Sequence, residues 1–134
     1  MRELQPKSAE PTAFFNAKVF RNAAITIGLS FVGGFVIGFL KSASGMPVGT
    51  YVTLIGLSNL LSCILGGLIA GLSVPKPVRV RHLQAVGLLV WLFGLINVPL
   101  GHNDIIGFFF SAIPVFLCLA LGGWIAGMLS DNKA

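Results

Sequence analysis

Leu65-Gly66-Gly67-Leu68-Ile69-Ala70-Gly71 returns as Leu121-Gly122-Gly123-Trp124-Ile125-Ala126-Gly127, identical at six of seven positions and 56 residues further on. Both copies lie in the C-terminal half of a long apolar run. Glycine and alanine at these spacings leave only a hydrogen or a methyl on one side of a helix, so a neighbouring backbone can come close. The repetition predicts one kind of helix used twice.

Composition names the solvent around those helices. Of the 134 residues 55% are hydrophobic and only 10% charged, where a soluble domain carries about 25% charged residues. Too few polar groups remain to cover a water-facing surface, so a lipid bilayer is the expected partner of the chain. The net charge of +5 comes from nine Lys and Arg spread between the apolar runs rather than along one face. That spread is a topology signal, and nucleic-acid binding is not expected. Cys63 and Cys118 each fall near the middle of an apolar run and read as small apolar fillers; no CxxC spacing or neighbouring His makes them a metal or redox pair.

The expected fold is an all-α membrane protein of four transmembrane helices in two tandem, parallel-repeat hairpins, 22–74 and 80–130. Residues 1–21 form a polar head, and 131–134 a short tail. In the head, Pro11 suits the first position of a short helix whose Phe14, Phe15, Val19 and Phe20 would lie at the membrane interface beside Lys18 and Arg21. A tail running straight into the first span fits equally well. The head is too long and too acidic for a signal peptide, although Ser42-Ala43-Ser44 resembles a cleavage site.

Residues 22–40 make the first span, about 28 Å long at 1.5 Å per residue, enough to cross the hydrocarbon core. A turn at Ser44-Gly45-Met46-Pro47 leads to a second span over 51–73, stopped by Pro75 and Pro77. The third covers 83–100, after a loop holding Arg79, Arg81 and His82. Asn103 or Asp104 can cap the fourth, over 104–129, because their side-chain oxygens accept from free backbone N–H groups. Basic residues fall in the head, the middle loop and the tail, with Lys41 alone on the other side. Positive-inside bias therefore predicts both termini in the cytoplasm, and a bacterial inner membrane is the expected location.

Each hairpin starts and ends on the same side, so the copies are parallel. Their first helices agree only at Arg21/Arg81 and Gly34/Gly94, spaced by 60, and convergent packing is the alternative to duplication. Helix-packing residues are expected at Ser30, Gly34 and Gly38 in the first span and at Ser62, Gly66, Gly67, Ala70 and Gly71 in the second. In the fourth they are Gly122, Gly123, Ala126 and Gly127. Gly34/Gly38, Gly67/Gly71 and Gly123/Gly127 are literal GxxxG pairs.

No ionisable group lies at mid-membrane, where such groups mark proton or ion paths. Thr26, Asn59, Ser62 and Asn97 are the candidates for a polar path, with interhelical hydrogen bonds the plainer reading. Trp91 needs a partner for its indole N–H, for which Asn59 and Ser62 are the nearest candidates. Pro114 should kink the fourth helix and free the carbonyl of Phe110. His82 and His102 are separated by about 30 Å of helix and cannot share a metal. No catalytic constellation, phosphate-binding loop or zinc spacing is present, so neither an enzyme nor a cofactor or metal protein is expected. The expected role is a small accessory or structural subunit, packing by glycine faces with itself as a homo-oligomer or with other membrane subunits. The alternatives are a small oligomeric permease or channel, and an immunity or holin-like protein.

Overall fold

The computed structural model describes residues 13–131. Helix α1 runs Ala17–Ser44, α2 Val48–Leu72, α3 Arg79–Phe93, α4 Ile105–Phe110 and α5 Ala112–Asp131. Short 3₁₀ turns at Lys76–Val78 and Gly94–Asn97 extend α3 at both ends. Four helical segments, Ala17–Ser44, Val48–Leu72, Lys76–Asn97 and Ile105–Asp131, are long and apolar enough to cross a membrane. No strand occurs among the described residues.

The chain ends its helices with local chemistry. Asn16 accepts hydrogen bonds from the backbone N–H groups of Lys18 and Val19 at 3.0 and 3.1 Å, so α1 begins five residues ahead of the predicted Asn22. Pro11 lies outside the described residues, as does the tail beyond Asp131. At the other end Gly45 adopts φ +64°, a left-handed conformation that glycine enters without strain, and its N–H closes on the Lys41 carbonyl. Asp104 caps α4 by accepting from the Gly107 N–H at 2.6 Å.

The spans differ in extent from the sequence reading, the first running Ala17–Ser44 against 22–40 and the second Val48–Leu72 against 51–73. The third span begins at Lys76 rather than Leu83, because Pro77 sits in a first turn, where a missing N–H breaks no hydrogen bond. Arg79, Arg81 and His82 therefore belong to a helix, not a loop. In the fourth span the helix is interrupted at Ser111, between α4 and α5, three residues before Pro114 and next to Phe110, whose carbonyl Pro114 has no N–H to serve. Pro114 itself occupies the first turn of α5, where its missing N–H breaks no bond within that helix.

The bundle is organised around α2, which packs most extensively on α5 and next on α1. Helix α3 lies against α1 and α5. Its core is asymmetric. Buried residues lie at 19–26 of α1, 62–71 of α2, 79–87 of α3 and 119–126 of α5, all toward the end where α1 starts and α2 stops. In the opposite half only Phe108, under Trp91, is buried among the described residues.

Candidate functional site

Two sets of residues lie in the packed half: a seam of glycines and a knot of polar groups. In the seam, Gly67 and Gly71 face α5. A Cβ on Gly67 would stand 2.8 Å from Leu119 Cα, and one on Gly71 2.8 Å from the Ala126 Cβ. Gly122 answers from α5, where a Cβ would meet the Leu68 nitrogen at 2.6 Å. Ala70 and Ala126 are fully buried. The Gly67 and Gly122 contacts are backbone on backbone, which only the absence of side chains allows. The remaining motif glycines turn elsewhere: Gly66 to Thr26 of α1, Gly123 to Leu83 of α3, and Gly127 to the Arg79 guanidinium at 3.2 Å. The two copies of the motif are thus used one residue out of step, Gly67 doing across the seam what Gly122 does in return.

On α1, Gly33 meets Ser58, a contact the sequence reading did not single out. Ser30 is half-buried, a Cβ on Gly34 would just touch Ile55 at 4.0 Å, and Gly38 has open space.

The polar knot ties the helix ends together. Asn22, 1% exposed, donates from Nδ2 to Ser73 Oγ at 2.8 Å and to His82 Nε2 at 2.8 Å. His82 Nε2 is then the acceptor and its ring proton sits on Nδ1. Ser73 in turn donates to the Ala70 carbonyl at 2.8 Å, and Thr26 to the Asn22 carbonyl at 2.9 Å. Asn22 Oδ1 is buried without a partner among the described residues.

Arg79 occupies the other side of the knot. Its Nε donates to the Gly71 carbonyl at 2.9 Å and its Nη2 to Ser130 Oγ at 3.2 Å, while Ser130 donates to the Gly127 carbonyl. The last four carbonyls of a helix lack intrahelical partners and carry its negative end. One buried guanidinium therefore caps α2 directly and α5 through a serine. Lys76 and Asp131 add an exposed ion pair at 3.2 Å, a weak contribution by comparison.

The candidate polar-path residues do not gather. Thr26 and Ser62 are buried on α1 and α2, but each hydroxyl is spent on its own helix, on the Asn22 and Ser58 carbonyls. Asn59 and Asn97 are exposed. Nor do Asn59 or Ser62 serve Trp91: its indole donates at 3.0 Å to the Phe108 carbonyl, which the break at Ser111 leaves available, and its ring stacks on Phe108 at 4.7 Å. Among the described residues no three His, Cys, Asp or Glu side chains are grouped to hold a metal ion, and both cysteines are free.

Sequence reasoning missed the knot because it placed Arg79 and His82 beyond the helices and Asn22 at a span boundary. A signal was nonetheless there. The spacing of 60 that aligns Arg21 with Arg81 also pairs Asn22 with His82, and those two are in contact.

Among the described residues, four apolar helices whose buried polar groups collect toward one end are compatible with a small multi-pass membrane protein. Compared with known families, curated proteins and solved structures, the chain matches none.

Proposed function

We propose that the chain is a small accessory or structural subunit of a membrane assembly, joining copies of itself or other membrane-spanning chains. One observation carries this reading. The core fills only the half of the bundle next to the basic end, and the opposite half of the α1–α2 hairpin has no buried residue from Ile27 to Leu61 among the described residues. Exposed Phe31, Phe35 and Phe39 and the open faces at Gly38, Gly49 and Gly56 lie there. Helix faces left uncovered on one side are suited to receive another helix, and small residues on them suit close approach. A permease would need a polar route, and the Thr26 and Ser62 hydroxyls are tied to their own helix backbones.

Positive-inside bias supports a cytoplasmic position for the basic end, and with it for both ends of the chain, as in a bacterial inner membrane. The repeated motif supports descent of the hairpins from one parent. The test is mass measurement of the native protein, extracted from its own membrane in lipid nanodiscs. Stoichiometric further subunits or copies are expected. A lone chain that gives reproducible solute-specific flux in liposomes would overturn the proposal in favour of a permease.

A further inference from the structure

Beside the polar knot, where the segment before α1 folds under the α2–α3 turn, lies a cavity of about 500 Å³. Phe14, Val74 and Val78 give it an apolar wall, and Lys18, Arg81 and His82 supply its polar one. Among the described residues no carboxylate lines it. Of the acidic side chains among the described residues, Asp131 is paired with Lys76 and Asp104 caps α4 at the other end of the bundle. Lys18 and Arg81 thus face the cavity without a neutralising protein group among the described residues.

The polar wall is built rather than accidental. His82 is 6% exposed and held by Asn22 through Nε2, which leaves its Nδ1 proton without a partner among the described residues. Arg81 rests its guanidinium 5.7 Å from the centre of the Phe14 ring, a contact that orients the group while leaving its N–H donors free. Lys18 stands beside the Asn16 cap in the first turn of α1, and Arg81 and His82 follow the 3₁₀ turn that leads into α3, so the three side chains come from two helices onto the same space. Three donors call for an anion. The apolar wall calls for something more than an inorganic one, since a hydrated ion gains nothing from Phe14 or Val78. The cavity also lies at the end of the bundle where the candidate spans Ala17–Ser44 and Lys76–Asn97 begin, the end at which headgroups would meet helices crossing a bilayer.

We propose that this cavity binds the headgroup of an anionic phospholipid, its phosphate held by Lys18, Arg81 and His82 and the adjoining glycerol and acyl carbons laid along Phe14, Val74 and Val78. The site does not depend on whether the chain works as a subunit.

The full chain, held in nanodiscs of phosphatidylcholine with a minor fraction of phosphatidylglycerol, tests this by native mass spectrometry. One phosphatidylglycerol per chain is expected to survive release, and millimolar inorganic phosphate should not displace it. Arg81→Gln and Lys18→Gln should each weaken retention about fivefold, and the pair about 25-fold. Lys76→Gln, at the same end but outside the cavity, should change it less than twofold, which a general surface attraction would not predict. Both cavity positions are exposed, and unchanged melting in pure phosphatidylcholine will certify folding; Phe14→Ala, expected to weaken retention without altering charge, provides an independent arm. Equal retention of phosphatidylcholine, displacement by free phosphate, or equal losses from Lys76→Gln and Arg81→Gln would each overturn the proposal.

Discussion

Gly122→Ala adds one methyl group at the point where two backbones touch. Its Cβ would press first on the Ile64 carbonyl oxygen, and would stand 2.6 Å from the Leu68 nitrogen and 2.9 Å from the Gly67 carbonyl carbon, whereas ordinary contact begins at 3.4 Å, a shortfall of at least about 0.8 Å. Neither neighbour is a side-chain tip that can swing away, so α2 and α5 must part by roughly that distance. A gap of about 0.5–1 Å forfeits a quarter to a half of the dispersion energy of each affected contact, and here the affected contacts form the most extensive helix pair in the bundle. Forced overpacking costs about 1–3 kcal/mol, and backbone on both sides puts this site at the upper end, roughly a 150-fold change in the folded-to-unfolded ratio. Gly67→Ala, against the Leu119 backbone, should match it. Gly123→Ala meets only the end of the Leu83 side chain, which can rotate, and should cost about 1 kcal/mol. Gly28→Ala has nothing within 4 Å and should lie within about 0.5 kcal/mol of the parent. Reversible unfolding in mixed micelles, read as the detergent fraction at the midpoint, ranks the four. The reasoning is refuted if Gly122→Ala and Gly123→Ala are equally harmful, or if Gly122→Ala behaves as Gly28→Ala does.

Arg79→Met should destabilise by about 2 kcal/mol in the same assay, since it uncaps two helix ends, whereas Lys76→Ala should change it by less than about 0.5 kcal/mol; parity between them would remove the capping role. In a double-mutant cycle, Asn22→Ala and His82→Ala should be coupled by about 1 kcal/mol, and additive effects would mean that their contact contributes nothing. Trp91→Phe keeps the stacking on Phe108 and loses one hydrogen bond to a carbonyl that Ser111 also serves, so a cost near 0.6 kcal/mol is expected, with a loss above about 2 kcal/mol counting against this.

The span count, the end of the second span and the limits of the fourth were legible because hydropathy and capping are local. Asp104 is a good example: its oxygen finds a free N–H three residues on, whatever the rest of the bundle does. Rotation of one helix against another was not legible in the same way. Gly66 and Gly67 are neighbours in sequence, yet one faces α1 and the other α5, and only the packing partners decide which. Arg79 was hidden for a different reason. A basic residue after two prolines reads as loop, and its burial depends on carbonyls from α2 and a serine from α5 brought to it by tertiary structure. Trp91 was assigned the wrong partner because the break at Ser111, which frees the Phe108 carbonyl, follows from chain geometry near Pro114 rather than from any residue facing Trp91.

In lipid, apolar side chains gain nothing by leaving solvent for one another, so helices cohere through close backbone approach and hydrogen bonds. Both devices occupy the same half of this bundle: the Gly67–Gly122 seam, and the Asn22–His82 and Arg79 contacts beside it. The other half of the α1–α2 hairpin has the approach of Gly33 to Ser58 but no buried residue, although it also carries Gly34 and Gly38 on one stripe of α1. If the half without a core is where another chain docks, the two halves must respond differently to the same insult. Gly38→Leu, placed where a Cβ meets nothing, should leave unfolding of the isolated chain within about 0.5 kcal/mol of the parent while reducing recovery of partner chains or copies from native membranes severalfold. Gly122→Leu should impair both. Loss of stability in the isolated Gly38→Leu chain would mean that α1 is already packed there, and full recovery of partners would mean that this stripe faces only lipid.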